Sequence, residues 1–328
     1  MKYAFIQQHR RQWPICVQCR VLGVSVAGYH EHRARRRKPR PHRHLSDEAL
    51  LVHIRALYTE SRGAYGWPRI WRELKRQGIR VGKQRVQQLM QQHGIRARGK
   101  RRFRVTTQSR PGLPVAGNIL NRQFRVTAPN QVWAGDITYI DTNEGWLYWA
   151  VVLDLFSRQV IGWALAEDLR QELVMDAFQM AWFRRGLGTE AGLLFHSDRG
   201  SQYAGEAFQK LLRQYQVQPS MSRQGNCWDN ACSETLFGSL KVERWHGQRF
   251  PTRQQARNEV LDWLHWYNGK RLHSTLNYRS PIEYERDWKR RAAQKTNEQT
   301  RSCEEAVEKM ESLHRFPLSH SPTTRYIH

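Results

Sequence analysis

Three apolar, β-rich runs lie close together at residues 132–140, 146–156 and 159–166. The breaks between them are only Thr142-Asn143-Glu144-Gly145 and Ser157-Arg158. Breaks this short join neighbouring strands as hairpins, so the runs are expected to form an antiparallel meander. The period then changes. A helical stretch at 172–185 precedes a strand at 192–196, a helix at 201–216 and a short strand at 218–222. After a glycine-containing loop come two long helices, at 229–245 and 252–268. Three antiparallel strands followed by alternating helices and strands describe an α/β domain with a mixed five-stranded sheet.

The first half reads as all-α. A short helical pair spans 13–37, broken at Leu22-Gly23-Val24-Ser25, with Ser25 placed to cap the second helix. Pro39 and Pro41 then interrupt the chain before Ser46-Asp47-Glu48 starts a new helix. Residues 46–98 hold three helices. The first carries Leu50, Leu51, Ile54 and Leu57, and the second opens at Trp67-Pro68 and carries Ile70 and Leu74. Gly78 and Gly82 bracket a turn, and 83–93 sets Val86, Leu89, Met90 and His93 on one face. Lys83, Gln84, Arg85, Gln87, Gln88 and Gln91 fall largely elsewhere. Arg and Gln make bidentate base contacts, so this face fits a helix-turn-helix reader of the DNA major groove. An ordinary solvated face of a helical hairpin is the alternative.

Charge favours the DNA reading. The chain has 54 Lys+Arg against 29 Asp+Glu, a net +25, but residues 1–128 hold 29 against 5 and so carry +24. The remaining residues carry +1. A field of this size suits a polyanion, not a small acidic metabolite. Anionic membrane is the other polyanion, yet the longest apolar run, 146–153, ends at Asp154, far short of the ~20 residues of a span. With 13 Trp, 12 Tyr and 11 Phe the chain is no disordered polyelectrolyte. Five cysteines, an odd number, make no disulfide framework, and the start of the chain lacks a signal-peptide pattern. A cytoplasmic, nucleoid-associated protein is expected. Cys16 and Cys19 with His30 and His32 could suggest zinc, but His-x-His is too close for the usual finger.

Three acidic residues sit at informative places. Asp136 lies inside the first β-rich run, where a carboxylate is costly unless paired or bound to metal. Asp198 ends the strand Leu193-Leu194-Phe195-His196-Ser197, where α/β sheets tend to place a site. Glu234 lies in the helix after Gly225-Asn226-Cys227-Trp228-Asp229-Asn230, with 35 residues between it and Asp198. That spacing alone is a weak signal; the local contexts carry the specificity.

Those contexts resemble a known family. The stretches 133–140, 154–158, 196–203 and 225–241 are similar to the OrfB-type transposases of the third insertion-sequence family. So is Tyr267-Asn268 through Arg271, His273, Leu276, Tyr278, Ser280 and Pro281, and Tyr65-Gly66-Trp67-Pro68-Arg69-Ile70 matches that family's second N-terminal helical module. The resemblance covers residues 1–286 in one order. It implies a ribonuclease-H-like, retroviral-integrase core behind helix-turn-helix modules, with Asp136, Asp198 and Glu234 as a DDE triad holding two Mg²⁺ or Mn²⁺ ions. Two hard cations about 3.5–4 Å apart suit phosphodiester cleavage and strand transfer, which need charge stabilisation and in-line alignment more than covalent chemistry. By position, Asp136 is expected to bridge the ions and Glu234 to be the mobile ligand.

Lys241 follows Glu234 by seven residues and shares its helical face, as does Asn230 one turn earlier. The resemblance implies that Lys241 contacts phosphate. Arg199 and Ser201 start a helix after Asp198, where they hold phosphate or simply cap. Asp229 points away and is expected to be structural, Asp154 is the main rival metal ligand, and Cys227 and Cys232 are expected to pack. Arg69, Lys83, Gln84, Arg85, Gln87 and Gln88 are the expected groove contacts. The implied activity is metal-dependent cleavage at element ends and joining of 3′-hydroxyls to target DNA by a homo-oligomer, with fusion to, or dependence on, an upstream-frame product. An RNase-H-like nuclease without strand transfer, or a DNA-binding regulator with an inactive core, are the alternatives. The expected layout is a helical segment 1–44, a helix-turn-helix domain 45–98, a basic linker 99–128, the catalytic core 129–286 and a partly disordered tail 287–328.

Overall fold

The structure, a computed structural model, describes residues 2–37, 45–99, 115–188, 192–223, 227–245 and 249–314. The proline break at 38–44, the basic stretch 100–114, Gly225-Asn226 and the chain end from 315 lie outside the described residues. Residues 1–97 and 98–328 form two compact units. No helix among the described residues is long and apolar enough to cross a membrane.

In the first unit, α1 (Lys2–Gln8) precedes the expected pair, α2 (Ile15–Val21) and α3 (Val26–Arg37). Ile6 of α1 meets Cys19 and Tyr29 in a small buried cluster, and the Tyr29 hydroxyl donates to Gln7 Oε1 at 2.7 Å. Cys19 is thus consumed by apolar packing while Cys16 faces solvent, so the pair does not converge on an ion.

The next three helices are α4 (Asp47–Glu60), α5 (Trp67–Arg76) and α6 (Lys83–Gln92). Ser46 accepts from the Ala49 amide at 3.2 Å, and Asp47 and Glu48 occupy the first turn, where the helix dipole favours negative charge. Leu50, Leu51, Ile54, Leu57, Ile70, Leu74, Val86, Leu89 and Met90 are all buried. His93 is not: it terminates α6 and is exposed, because the chain leaves the helix there and turns at Gly94, at φ +64°.

The second unit is built on one five-stranded sheet, in the order β3-β2-β1-β4-β5. Its strands are β1 (Val132–Thr142), β2 (Gly145–Asp154), β3 (Val160–Ala166), β4 (Leu194–Ser197) and β5 (Gln218–Met221). The first three run antiparallel, whereas β1 with β4 and β4 with β5 are parallel. Helices cover both faces, which is why the strands read as near-continuous apolar runs. On one face α7 (Gln171–Arg185) and α9 (Glu206–Gln214) bring Phe178, Trp182, Phe208 and Leu212 against Trp133, Val152 and Ile161. There Gly162 permits close approach: a Cβ would lie 2.1 Å from the Ala177 carbonyl oxygen. On the other face α10 (Ala231–Leu240) and α11 (Arg253–Gly269) bring Phe237, Leu240, Val260 and Trp263 against Ala134, Trp149 and Val151.

Four elements differ from expectation. The helix expected at 201–216 splits into a single turn, α8 (Ser201–Ala204), and α9, because Gly205 takes an extended conformation. The helix expected at 229–245 becomes a 3₁₀ turn (Cys227–Asn230), α10 and a π-helical turn (Lys241–Trp245). Residues 287–314, assigned to the tail, continue one long helix, α12 (Pro281–His314), which runs unbroken through residue 287. Finally, residues 115–128, assigned to the basic linker, pack on the sheet unit. Leu120 is buried there with Phe124 and Val126 against it, and the amides of Ile119 and Leu120 donate to Ser220 Oγ at 3.0 and 3.2 Å.

Candidate active site

Asp136 projects from the middle of β1, which pairs with β2 along its length but with β4 only through Val132–Ala134. The carboxyl is 9% exposed and its Oδ1 accepts from the Ile137 amide at 2.8 Å. Asp198 follows the end of β4, and its Oδ1 accepts from the Gly200 amide at 2.9 Å. Glu234 occupies the first turn of α10 and is exposed.

Electrostatics ties these groups together. Burial pushes the Asp136 carboxyl well above the usual range, and the charges of Asp198 and then Glu234 push it the same way. Burial also raises Asp198 and, less completely enclosed, Glu234. Lys241 is the basic group on this cluster: burial lowers its ammonium, and Asp136 opposes that shift. The side-chain amide of Asn230 donates to Asp136, while Asn230 Oδ1 is buried without a partner.

Among the described residues no three His, Cys, Asp or Glu side chains form a closed metal cage. Asp136 and Asp198 are the enclosed pair, and Glu234 stands further out. The donor set nevertheless fits a hard divalent cation: carboxylate oxygens that repel one another, plus the orphaned Asn230 Oδ1.

Other residues expected at the site divide clearly. Asp229 is structural: Arg223, Arg122 and Asn118 donate to its oxygens at 2.8–3.0 Å, and these bonds, Arg223 foremost, hold the carboxyl far below the usual range. Asp154 is also structural. It is fully buried opposite Trp133, three residues along β1 from Asp136, and accepts from the amides of Asn130, Phe156 and Ser157 at 2.7–3.0 Å. Arg199 Nε donates to the Ser222 carbonyl at 2.7 Å, and Ser201 opens the single turn α8, whose Gly200 amide already serves Asp198. Cys232 Sγ accepts from Arg158, and the Cys227 side chain lies outside the described residues.

In the first unit Lys83, Gln84, Gln87 and Gln88 are exposed on α6, and Arg69 lies over the Tyr65 ring at 5.4 Å. Arg85 does not join them: its guanidinium donates to Asp47 Oδ1 at 2.8 Å and to the Leu45 carbonyl at 2.7 Å.

Two contributors were missed in the sequence. Tyr203 is buried under the acids; burial, then the charges of Asp136 and Asp198, push its phenol well above 10, so it stays neutral. Gly135 makes room for it, since a Cβ there would lie 2.4 Å from Phe195 Cζ and 3.1 Å from Tyr203 Cε1. His196 is the second. Its Nε2 faces the Asp229 carbonyl at 3.0 Å, so Nε2 carries the hydrogen, and Nδ1 accepts from the Ser220 hydroxyl at 2.9 Å. Burial lowers its pKa, and the neutral ring links β4, β5 and the turn that bears Asn230.

The chain is similar to known proteins over most of its length. Residues 126–227 and 234–287 each match an integrase core domain, and residues 45–103 match an HTH-like domain. The transposase InsF for insertion sequence IS3A of Escherichia coli (strain K12) is 40% identical over 289 residues, 87% of this chain and 98% of that protein. A 31 kDa protein of insertion element IS600 from Shigella sonnei is 39% identical over 279 residues, 84% of this chain and all of that one. Among solved structures, the magnesium complex of the HTLV-2 integrase catalytic core domain (trimeric form) is 18% identical, covering 49% of this chain and 99% of its own, with a TM-score of 0.39. The simian T-cell lymphotropic virus intasome with the B56 gamma subunit of PP2A is 15% identical, covering 71% and 74%, with a TM-score of 0.41.

Proposed function

This chain belongs to the IS3 family of insertion-sequence transposases with an integrase core domain, and on that premise we propose that Asp136, Asp198 and Glu234 are the catalytic carboxylates. The observation that carries this reading is the electrostatic strain on Asp136 of β1, whose carboxyl is raised by burial and then by the charges of Asp198 after β4 and Glu234 on α10. Strain of that kind is relieved by a bound cation, and Mg²⁺ or Mn²⁺, as two ions, suits the oxygen donors. Bound there, divalent metal supplies Lewis-acid polarisation of the scissile phosphate and neutralises the charge that builds up on it.

The chain's own residues do the rest. Asp136 is held by a paired strand and by Asn230, so its oxygens need no reorganisation when DNA arrives. The Gly200 amide fixes Asp198 in the same way. Glu234, exposed on α10, turns towards the pair to complete the site. Lys241 holds a non-bridging phosphate oxygen, and buried Tyr203 and Phe195 close the floor against water. In the first unit Lys83, Gln84, Gln87 and Gln88 are the DNA-facing groups of α6.

The test is a strand-transfer assay with a duplex carrying the element end, in Mg²⁺ or Mn²⁺. Asp136→Asn, Asp198→Asn and Glu234→Gln are each expected to abolish cleavage and joining while DNA binding survives. Full activity in any one of them overturns the assignment. Wild type that hydrolyses without a joined product overturns strand transfer by this chain alone. Repeating the assay with the upstream-frame product, and sizing the complex on paired ends, tests the expected fusion dependence and homo-oligomer.

A further inference from the structure

We propose that Tyr139 and Trp146, together with Lys241, form a stacking platform for an unpaired nucleobase of the DNA strand that reacts at Asp136. The proposal rests on the reading of Asp136, Asp198 and Glu234 as the catalytic acids and deepens it by naming how the DNA end is held.

Beyond Ala134, β1 has no ladder with β4, and the strand continues as the outer half of the β1–β2 hairpin. Tyr139 lies opposite Tyr148, and Trp146 is two residues from Tyr148 on the same strand, so Tyr139 and Trp146 are diagonal neighbours on one face. Their rings meet edge to face, 5.2 Å between centroids and 83° between planes. Tyr139 is 42% and Trp146 46% exposed, whereas Trp133 and Trp149 of the same strands are fully buried. Lys241 Nζ stands 5.7 Å from the Tyr139 ring centre and also feels the Asp136 charge, so one ammonium serves the carboxylate and the Tyr139 ring.

The platform is rigid. Arg253 donates from Nε to the Trp146 carbonyl at 3.2 Å and from its amide to Glu144 Oε2 at 2.8 Å. The Asn143 amide donates to the Phe250 carbonyl at 2.9 Å, and Arg249 pairs with Asp141 at 3.1 Å. Rings shown from a fixed backbone lose little entropy on binding. Tyr139 is three positions along β1 from Asp136, roughly 10 Å, and on the opposite face of the strand. A DNA strand therefore reaches both around the β1 edge that β4 leaves open, beside Lys241, within about three nucleotides of the reacting phosphate. A cation beside exposed π-faces matches the two parts of a single-stranded nucleotide, its phosphate and its base.

The test uses the full chain and a duplex with a short 3′ single-stranded extension bearing 2-aminopurine. Stacking should quench the probe on wild type, whereas Tyr139→Leu/Trp146→Leu should leave it bright and weaken binding by roughly tenfold. Tyr139→Phe and Trp146→Phe should keep the quenching. An abasic extension should weaken wild type to the level of the double variant and cost that variant nothing more. Unchanged quenching in the double variant, or an equal affinity loss on the abasic duplex, overturns the platform. Asp136→Asn should still quench but not react; if it reacts, the reading of the catalytic acids falls instead.

Discussion

Arg271 donates to Glu243 from Nη2 at 2.6 Å and from Nε at 2.9 Å, and both side chains are buried beneath the π-helical turn that begins at Lys241. Glu243 Oε2 also accepts from the Trp263 indole at 3.1 Å. The extra residue in the π turn lets Glu243 and Trp245 both face inward while Lys241 stays beside Asp136. Arg271→Leu leaves a buried carboxylate without its guanidinium and should cost ~3–5 kcal/mol, read from the urea unfolding midpoint. Arg271→Leu/Glu243→Leu should recover most of that loss. A double variant as unstable as the single one would mean that packing, not the stranded charge, sets the cost.

Removing charge at Asp136 should act in the opposite direction. Burial and neighbouring acids raise Asp136, so its contribution to stability is full below the ordinary value near 4 and is lost as pH rises through the folded value. At neutral pH the metal-free protein therefore carries strain that Asp136→Asn relieves. The variant should melt higher than wild type without metal and gain less from Mg²⁺ or Mn²⁺. In wild type the metal-induced rise in Tm should be larger at pH 8 than at pH 5.5, where protons compete. A metal response unchanged in Asp136→Asn would count against Asp136 as a ligand.

How much of this was legible depends on where the information lies. The strands and their order were readable because both faces are covered and the hairpin breaks are short: 132–140, 146–156 and 159–166 differ from β1, β2 and β3 only at their ends. Asp136 was conspicuous because a carboxylate in an apolar run needs a reason. Tyr203 and His196 were not, since their importance comes from contacts with Gly135, Ser220 and Asp229 that are distant in sequence. The π turn was hidden for the same reason: helical spacing predicts a continuous helix to 245, and only Arg271, 28 residues on, explains the change of winding. Arg85 looked like a groove contact because composition does not reveal that Asp47 lies within reach.

His196 gives the protein an acid limit of its own. Burial depresses its pKa, and both ring nitrogens are engaged with the ring neutral. The unfolded chain binds a proton near the ordinary 6.5 before the folded chain does. Stability from this group is therefore present above that value and lost as pH falls through the lower folded one, at up to about 1.4 kcal/mol per pH unit. His196→Gln should be less stable at neutral pH, with the gap to wild type narrowing between pH 6.5 and 5. The difference isolates His196 from the raised carboxylates, whose effect has the opposite sign. A gap constant with pH would mean that the ring is not held neutral.

Lys83 and Arg85 are two residues apart on α6, yet they should answer differently to substitution. Lys83 is exposed at the start of the helix, so Lys83→Ala should weaken DNA binding on every sequence and flatten the dependence of log K on log salt by about 0.9. Gln87→Ala and Gln88→Ala, further along the exposed face, should instead relax sequence preference with little change in that slope. Arg85 ties α6 to the start of α4 through Asp47 and the Leu45 carbonyl. Part-exposed pairs contribute little, so Arg85→Ala should lower stability by about 0.5–1 kcal/mol and leave the salt slope as it was. Binding isotherms at several salt concentrations, paired with urea melts, separate the two outcomes. A slope change in Arg85→Ala as large as in Lys83→Ala would show that Arg85 releases Asp47 and turns to phosphate when DNA is bound.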